Sequence, residues 1–197
     1  MKKPWYDYLW IWPIVYFSLG FFNIVFAWLG MIDFLLPLIV AIGFGNKWFC
    51  NKICGRGQLF AWLPTVLPCS RQKPAPRWLS SRRFRHAFLA FFLTMFGSIL
   101  FQTYLVFSGA SSVREAVTLF WTFRVPWAWA GHNPGVADWV MQFGYGFYSL
   151  MLTSALLGLI VMALYRPRTW CSFCPMGCMT QGICKLKQRG KPLPPEE

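Results

Sequence analysis

The sequence predicts an all-α, polytopic membrane protein with about four transmembrane helices and both termini on the cytoplasmic side. Three observations predict it. Of 197 residues, 56% are hydrophobic and only 13% are charged, about half the charge of an ordinary soluble domain. Uncharged runs long enough to cross a bilayer recur along the chain. The 19 Lys and Arg are gathered into a few segments rather than spread evenly, as cytoplasmic loops of membrane proteins require. The net charge of +13 is therefore read as membrane anchoring. No stacking module or basic helix supports a nucleic-acid partner.

Residues 1–7 are a short polar start with Lys2 and Lys3. From Tyr8 to Ile32 no residue is charged, a run of 25, and the first span is placed at about 9–30. Pro13 falls in its first turn, where proline is tolerated. The run is too long for the apolar part of a signal peptide, and no small-x-small site follows it. Asp33 ends it. The next apolar piece, Phe34 to Asn46, has 13 residues and reaches about 20 Å. A short second span is placed at about 31–47, delivering Cys50 and Cys54 at headgroup level. Residues 47–86 carry nine Lys and Arg and no acid, and Pro64, Pro68, Pro74 and Pro76 break any continuous helix there. Gln58 to Trp62 reads as a short interfacial turn.

The third span is placed at about 87–108, inside an uncharged stretch that ends at Val113. Arg114 to Asp138 is mixed, and its Trp121, Trp127 and Trp129 suit a membrane–water interface. Trp139 to Tyr165 is uncharged over 27 residues and forms the last span, about 139–165. Gly144, Gly146 and Gly158 are expected to allow close helix contact. The tail holds four cysteines between 171 and 184, then Lys185, Lys187, Arg189, Lys191 and an acidic, proline-rich end. The whole chain, 1–197, reads as a single transmembrane domain.

With the N-terminus in the cytoplasm, the outer segments hold only Arg114 and Arg124 of the 19 Lys and Arg, against Asp33, Glu115 and Asp138. That asymmetry puts Cys50, Cys54, Cys69, Cys171, Cys174, Cys178 and Cys184 on the cytoplasmic side of the inner membrane. Thiols stay reduced there and serve more often as metal ligands than as disulfides. The odd count of seven would also leave one cysteine over.

Two pairs follow apolar runs at this face. Cys50 and Cys54 are three residues apart, about one helical turn. Cys171 and Cys174 are two apart, the tighter bite, and Pro175 follows directly. Four thiolates at two such bites hold either a 4Fe–4S cluster or a tetrahedral zinc ion. A site at the mouth of a helix bundle suits electron transfer. Lys47, Lys52, Arg56, Arg166 and Arg168 would stabilise an anionic cluster and raise its potential. Cys178 and Cys184 extend the second pair. They form a rival set, Cys171, Cys174, Cys178 and Cys184, or a hybrid in which one of them replaces a member of the first pair. Cys69 has no partner at ligand spacing and reads as an ordinary thiol. The plain alternative for all seven is small, buried hydrophobes.

A tryptophan, a cysteine pair and Pro-x-Gly after a membrane span, as in Trp170-Cys171-Ser172-Phe173-Cys174-Pro175-Met176-Gly177, resemble the polyferredoxin-type 4Fe-4S-binding membrane proteins. These include NapH-like membrane subunits, which pass electrons from quinol in periplasmic nitrate reduction, and the membrane part of NosR-like accessory flavoproteins. Their hallmark is a repeated Cys-x3-Cys-Pro after transmembrane helices. Cys50-x3-Cys54 keeps the spacing but has Gly55 in place of proline, and Cys171-x2-Cys174-Pro175 keeps the proline with one residue fewer. The ferredoxin and flavin-binding domains common in the family have no counterpart. The resemblance thus implies the bare membrane core, with Cys50, Cys54, Cys171 and Cys174 as ligands and a partner that supplies the next carrier.

The expected function is one-electron relay between a quinol or soluble donor and a partner redox protein, as a subunit of an oxidoreductase system rather than an enzyme alone. Expected partners are the lipid bilayer, a redox protein docking on the basic loops, and a quinone if the aromatic stripes line a pocket. The alternative is a zinc-binding or thiol scaffold or assembly factor without redox turnover. A membrane disulfide oxidoreductase would need its pairs on the oxidising side, which the charge bias opposes. His86 and His132, the two histidines, fall on opposite sides in this topology, so a bis-histidine haem is not expected. No Ser-His-Asp set or Gly-rich phosphate loop is recognisable.

Overall fold

A computed structural model describes residues 8–45, 49–67, 70–131 and 135–188. The fold is mainly helical, with six α-helices and one short hairpin among these residues. Helix α1 is Ile11–Phe22 and α2 is Leu29–Phe44, entered through a tight 3₁₀ turn at Ile24–Trp28. A π-type turn at Phe49–Ile53 leads into α3, Gly55–Val66. Then follow α4, Arg82–Phe107, the antiparallel strands β1, Ala116–Leu119, and β2, Phe123–Pro126, then α5, Asp138–Leu164, and α6, Pro175–Gln188.

Among the described residues, three segments are long and apolar enough to cross a membrane: Ile24–Phe44, Arg82–Phe107 and Asp138–Leu164. The first two predicted spans need correction. The break falls at Asn23, not Asp33, so the short helix is the first and the long one the second. Asn23 is extended (φ −146°, ψ 118°), and its side-chain oxygen accepts the Val25 N–H at 3.0 Å. A side chain that caps the next helix from outside stops the one before it. Asp33 instead lies inside α2, where the Trp12 indole N–H donates to its carboxylate at 2.9 Å. At its far end α2 closes on Gly45 in the left-handed region (φ 67°). Lys187 of α6 donates to the carbonyls of Ile42 (2.7 Å) and Gly43 (2.6 Å), so a cation completes the negative end of the helix.

Helix α5 is the axis of the bundle. Phe143, Tyr145, Phe147, Tyr148, Leu150 and Met151 are buried against Tyr16, Ile24, Ala27, Phe34 and Phe92. A Cβ on Gly144 would stand 2.9 Å from the Ile24 carbonyl oxygen, and one on Gly158 would collide with the Phe60 ring. These glycines let α2's entry turn and α3 approach α5, as small residues do in packed membrane helices. We expect Gly158→Leu to displace Phe60 and lower stability by about 1–3 kcal/mol through overpacking. Thermal unfolding would measure it, and Phe60→Ala in the same chain should recover part of the loss; no recovery would mean that Phe60 is not the obstacle. The outer faces are inverted relative to a soluble protein: Phe101, Tyr104 and Phe107 of α4 are 61–68% exposed. Such a surface is compatible with lipid.

The hairpin was not foreseen in a segment assigned to the interface. Its ladder pairs Val117 with Val125 and Thr118 with Arg124. It packs along α5, whose polar residues satisfy its backbone. Gln142 Oε1 accepts the Arg114 N–H (2.8 Å), Ser149 Oγ the Thr118 N–H (3.0 Å) and Thr153 Oγ1 the Phe120 N–H (3.3 Å). The turn holds Phe120 and Trp121 at positive φ (48° and 62°). Such a hairpin turn favours Asn or Gly, and bulky residues there store on the order of 1–3 kcal/mol each. Trp121 is held edge-on against Phe91 of α4 at 4.5 Å.

Candidate metal centre

Both cysteine pairs sit in the same local design, a long apolar helix, a tight turn and then a short helix. After α2, the turn Phe49–Ile53 carries Cys50, and the Cys54 N–H donates to the Phe49 carbonyl at 2.9 Å. Cys54 is the residue before α3. After α5, the turn Thr169–Ser172 carries Cys171, and Cys174 precedes α6, accepting the Cys178 N–H on its carbonyl at 3.0 Å. Pro175 opens α6, where its missing N–H costs nothing. Each pair therefore ends at the positive end of a helix, which favours thiolate.

The fold brings the pairs together. A cavity of about 260 Å³ is lined by Cys50, Cys54, Cys171 and Cys174. Gly57 lies between the pairs: a Cβ on it would stand 3.7 Å from Cys171 Sγ and 3.9 Å from Cys54 Sγ. Aromatic packing fixes the second turn. Trp170 and Phe173 are buried on either side of Cys171, their rings 4.9 Å apart, and both meet Phe88 of α4 edge-on. Cys50 Sγ lies 3.6 Å from the hydroxyl of Thr180, a buried residue of α6.

Cys178 and Cys184 do not line this cavity. Cys178 Sγ lies 4.0 Å from the Phe173 carbonyl, and Cys184 is buried in α6. Lys47, Cys69 and His132 lie outside the described residues. Lys52, Arg166 and Arg168 are exposed, and Arg168 reaches Gln58 Oε1 at 3.4 Å. Arg56 goes inward. Its guanidinium lines the cavity, donates to Ser154 Oγ at 2.8 Å, meets Met151 Sδ and stands 5.9 Å from the centre of the Phe17 ring. The same lining includes apolar Leu9, Ile32, Leu36 and Pro37, together with Trp12 and Asp33. Asp33, expected to end the first span, instead joins this lining; an acid inside an apolar run marks a function by default.

The electrostatics of the thiols are coupled. Burial pushes Cys174 up to about 11; Cys54 adds to the rise, while Arg56 and the backbone N–H groups of Gly177 and Met176 oppose it. Burial, then Cys54 and Cys174, and last Cys50, raise Cys171 as well, with Arg168 opposing. Cys171 has an exposed side, so solvent screens it and Cys174 carries the larger effect. Without metal, Cys174 is thus a neutral thiol at pH 7. A raised value stabilises the fold below the ordinary thiol range and loses that contribution as pH climbs to about 11. We expect metal-free protein to lose thermal stability between about pH 8.5 and 11, and Cys174→Ala to flatten that slope. An equal slope in the variant would assign it to another group. Metal binding must expel these protons, so loading weakens as pH falls.

The donor set and the space fit an iron–sulfur cluster. A single zinc ion needs its sulfurs about 2.3 Å from one point. Four cysteines line one cavity of about 260 Å³, and four thiolates are the ligand set of a 4Fe–4S cluster.

Residues 26–67 and 149–194 match the family described as 4Fe-4S binding domain. The match supports an iron–sulfur protein. Each matched segment contains one repeat of the design above, the first with Cys50 and Cys54, the second with Cys171, Cys174, Cys178 and Cys184. No curated protein and no solved structure matches the chain.

Proposed function

We propose that the chain is a membrane-bound electron-transfer protein of the polyferredoxin type, NapH-like or NosR-like. It holds one 4Fe–4S cluster on Cys50, Cys54, Cys171 and Cys174, at the cytoplasmic face of the inner membrane. The observation that carries this reading is the meeting of two cysteine pairs, more than a hundred residues apart, around one cavity inside segments that match a 4Fe-4S binding domain. When bound, the cluster supplies a one-electron carrier.

The protein's own residues do the rest. The N-termini of α3 and α6 and the Arg56 guanidinium place positive potential at the site, which favours the reduced, more negative state. The apolar lining of the cavity suits a hydrophobic donor such as a quinol, with the Asp33 carboxylate beside it to take a proton. Cys171 keeps an exposed side near Arg168, and exposed Lys52, Arg166 and Arg168 offer positive charge to an acidic redox partner, as a subunit or a soluble protein.

The test is the iron, sulfide and zinc content of protein purified from membranes without oxygen, with an EPR spectrum after dithionite. About four iron and four sulfide per chain, with a fast-relaxing signal, is the expected result. Zinc without sulfide would replace this reading by the scaffold, and neither metal would remove the centre altogether.

A further inference from the structure

A second cavity, of about 710 Å³, opens between α4, α5 and the hairpin. Its polar wall comprises Ser98 and Gln102 of α4, Gln142 and Ser149 of α5, and Arg114 and Arg124 beside and within the hairpin. This lining contains, among the described residues, two arginines and no acid. Among the described residues, the guanidinium groups of Arg114 and Arg124 and the side-chain amide of Gln102 have no hydrogen bond or ion pair. Gln142 has spent its carbonyl on the Arg114 main chain and keeps its N–H₂.

Depth makes this wall unusual. Ser149, which binds the hairpin at Thr118, is the twelfth residue of α5, about 17 Å along the axis from its first. With α5 across a bilayer, the polar wall runs from Gln142, the fifth residue of α5 and about 6 Å along its axis, inward to Ser149, so the cavity reaches from headgroup level into the apolar layer. Non-helical backbone is tolerated there only when buried in protein or lining a polar cavity. Arg114 is tied to Gln142 near the end of α5, while Arg124, paired with Thr118 opposite Ser149, sits deeper, where a cation without a counter-charge is unfavourable and marks a functional site. Met95, Ile99 and Leu150 supply an apolar side to the same cavity.

We propose that this cavity binds a phosphate-type oxyanion, gripped by the Arg114 and Arg124 guanidinium groups with the Gln102 and Gln142 amides beside them. Guanidinium forks match phosphate oxygens two by two. The oxyanion comes either from an acidic phospholipid, whose acyl part then lies on the apolar side, or from free phosphate. The inference rests on the membrane reading above but not on the cluster.

Native mass spectrometry of the full chain tests it, with phosphatidylglycerol, phosphatidylcholine and inorganic phosphate as probes. Wild type should retain phosphatidylglycerol over phosphatidylcholine by about tenfold or more, or else bind inorganic phosphate; Arg114→Gln with Arg124→Gln should lose that binding. Displacement of phosphatidylglycerol by phosphate assigns the site to the free anion, and resistance to it assigns the site to the lipid. Equal retention of both lipids with no phosphate bound, or an unchanged preference in the double variant, overturns the proposal. Should the double variant misfold, the wild-type comparison alone decides. Membrane fraction and iron content of the same samples separate the outcomes. Protein found in the soluble fraction would sink the membrane reading, and missing iron would sink the cluster reading. Membrane-bound, iron-loaded protein without anion preference sinks this inference only.

Discussion

Cys174→Ser is expected to reduce iron and sulfide from about four per chain to near zero, while the protein still inserts in the membrane. The same holds for Cys171→Ser. Cys178→Ser and Cys184→Ser should keep full content, because neither residue lines the cavity between the pairs. Serine is nearly isosteric, so packing by Trp170 and Phe173 survives and the loss reads on ligation rather than folding. Cys174 is the most informative position: its carbonyl accepts the Cys178 N–H of α6, and burial, with Cys54 adding to it, raises its titration. Full iron in Cys50→Ser and Cys54→Ser together with loss in Cys178→Ser would move the centre to the rival set in the tail. Unchanged iron in both Cys171→Ser and Cys174→Ser would end the ligand assignment.

Arg56→Met is expected to lower the midpoint potential of the centre. Arg56 is the cation the fold turns into the cavity wall, while Lys52, Arg166 and Arg168 stay in solvent. Reduction adds negative charge, so removing a nearby positive charge disfavours the reduced form. A unit charge about 8 Å away is worth about 2 kcal/mol at an effective dielectric constant of about 20, or roughly 90 mV for a one-electron couple. Methionine keeps much of the volume but loses the bond to Ser154, so stability should also fall by about 1 kcal/mol. An EPR-monitored redox titration reads the potential, with exposed Arg77→Gln as the control that should move little. A midpoint that stays put or rises in Arg56→Met would show that Arg56 does not act on the centre.

Much of this molecule was legible before any coordinates. Long uncharged runs are read without ambiguity because a bilayer tolerates few charges, and α4 and α5 fall where the runs at 87–113 and 139–165 predicted. The spacing of the cysteine pairs and their place after apolar runs pointed to metal ligation. Gly144 and Gly158 marked close packing, and their contacts with Ile24 and Phe60 bear that out. Boundaries inside the first apolar run were misjudged because hydropathy weighs Asp33 as a break and ignores Asn23. The decision rested on local hydrogen bonds: Asn23 caps the next turn, while Asp33 has Trp12 and is kept in a helix. The hairpin escaped because its strands are four residues each and its backbone partners, Gln142, Ser149 and Thr153, look like minor polar interruptions of a span.

By itself, then, the sequence determined composition-driven features: which segments are apolar enough for lipid, where the cations gather, and where cysteines stand in pairs. Those depend on each residue's own transfer free energy or on neighbours a turn away. Only the tertiary structure decided that Cys50 and Cys54 meet Cys171 and Cys174, that Arg56 and Asp33 share their cavity, and that Arg114 and Arg124 face a second one. Such meetings depend on how α3 and α6 fold back beneath the bundle and how the hairpin lies on α5. Glycine contacts and aromatic packing between segments distant in the chain set both, and no local pattern encodes them.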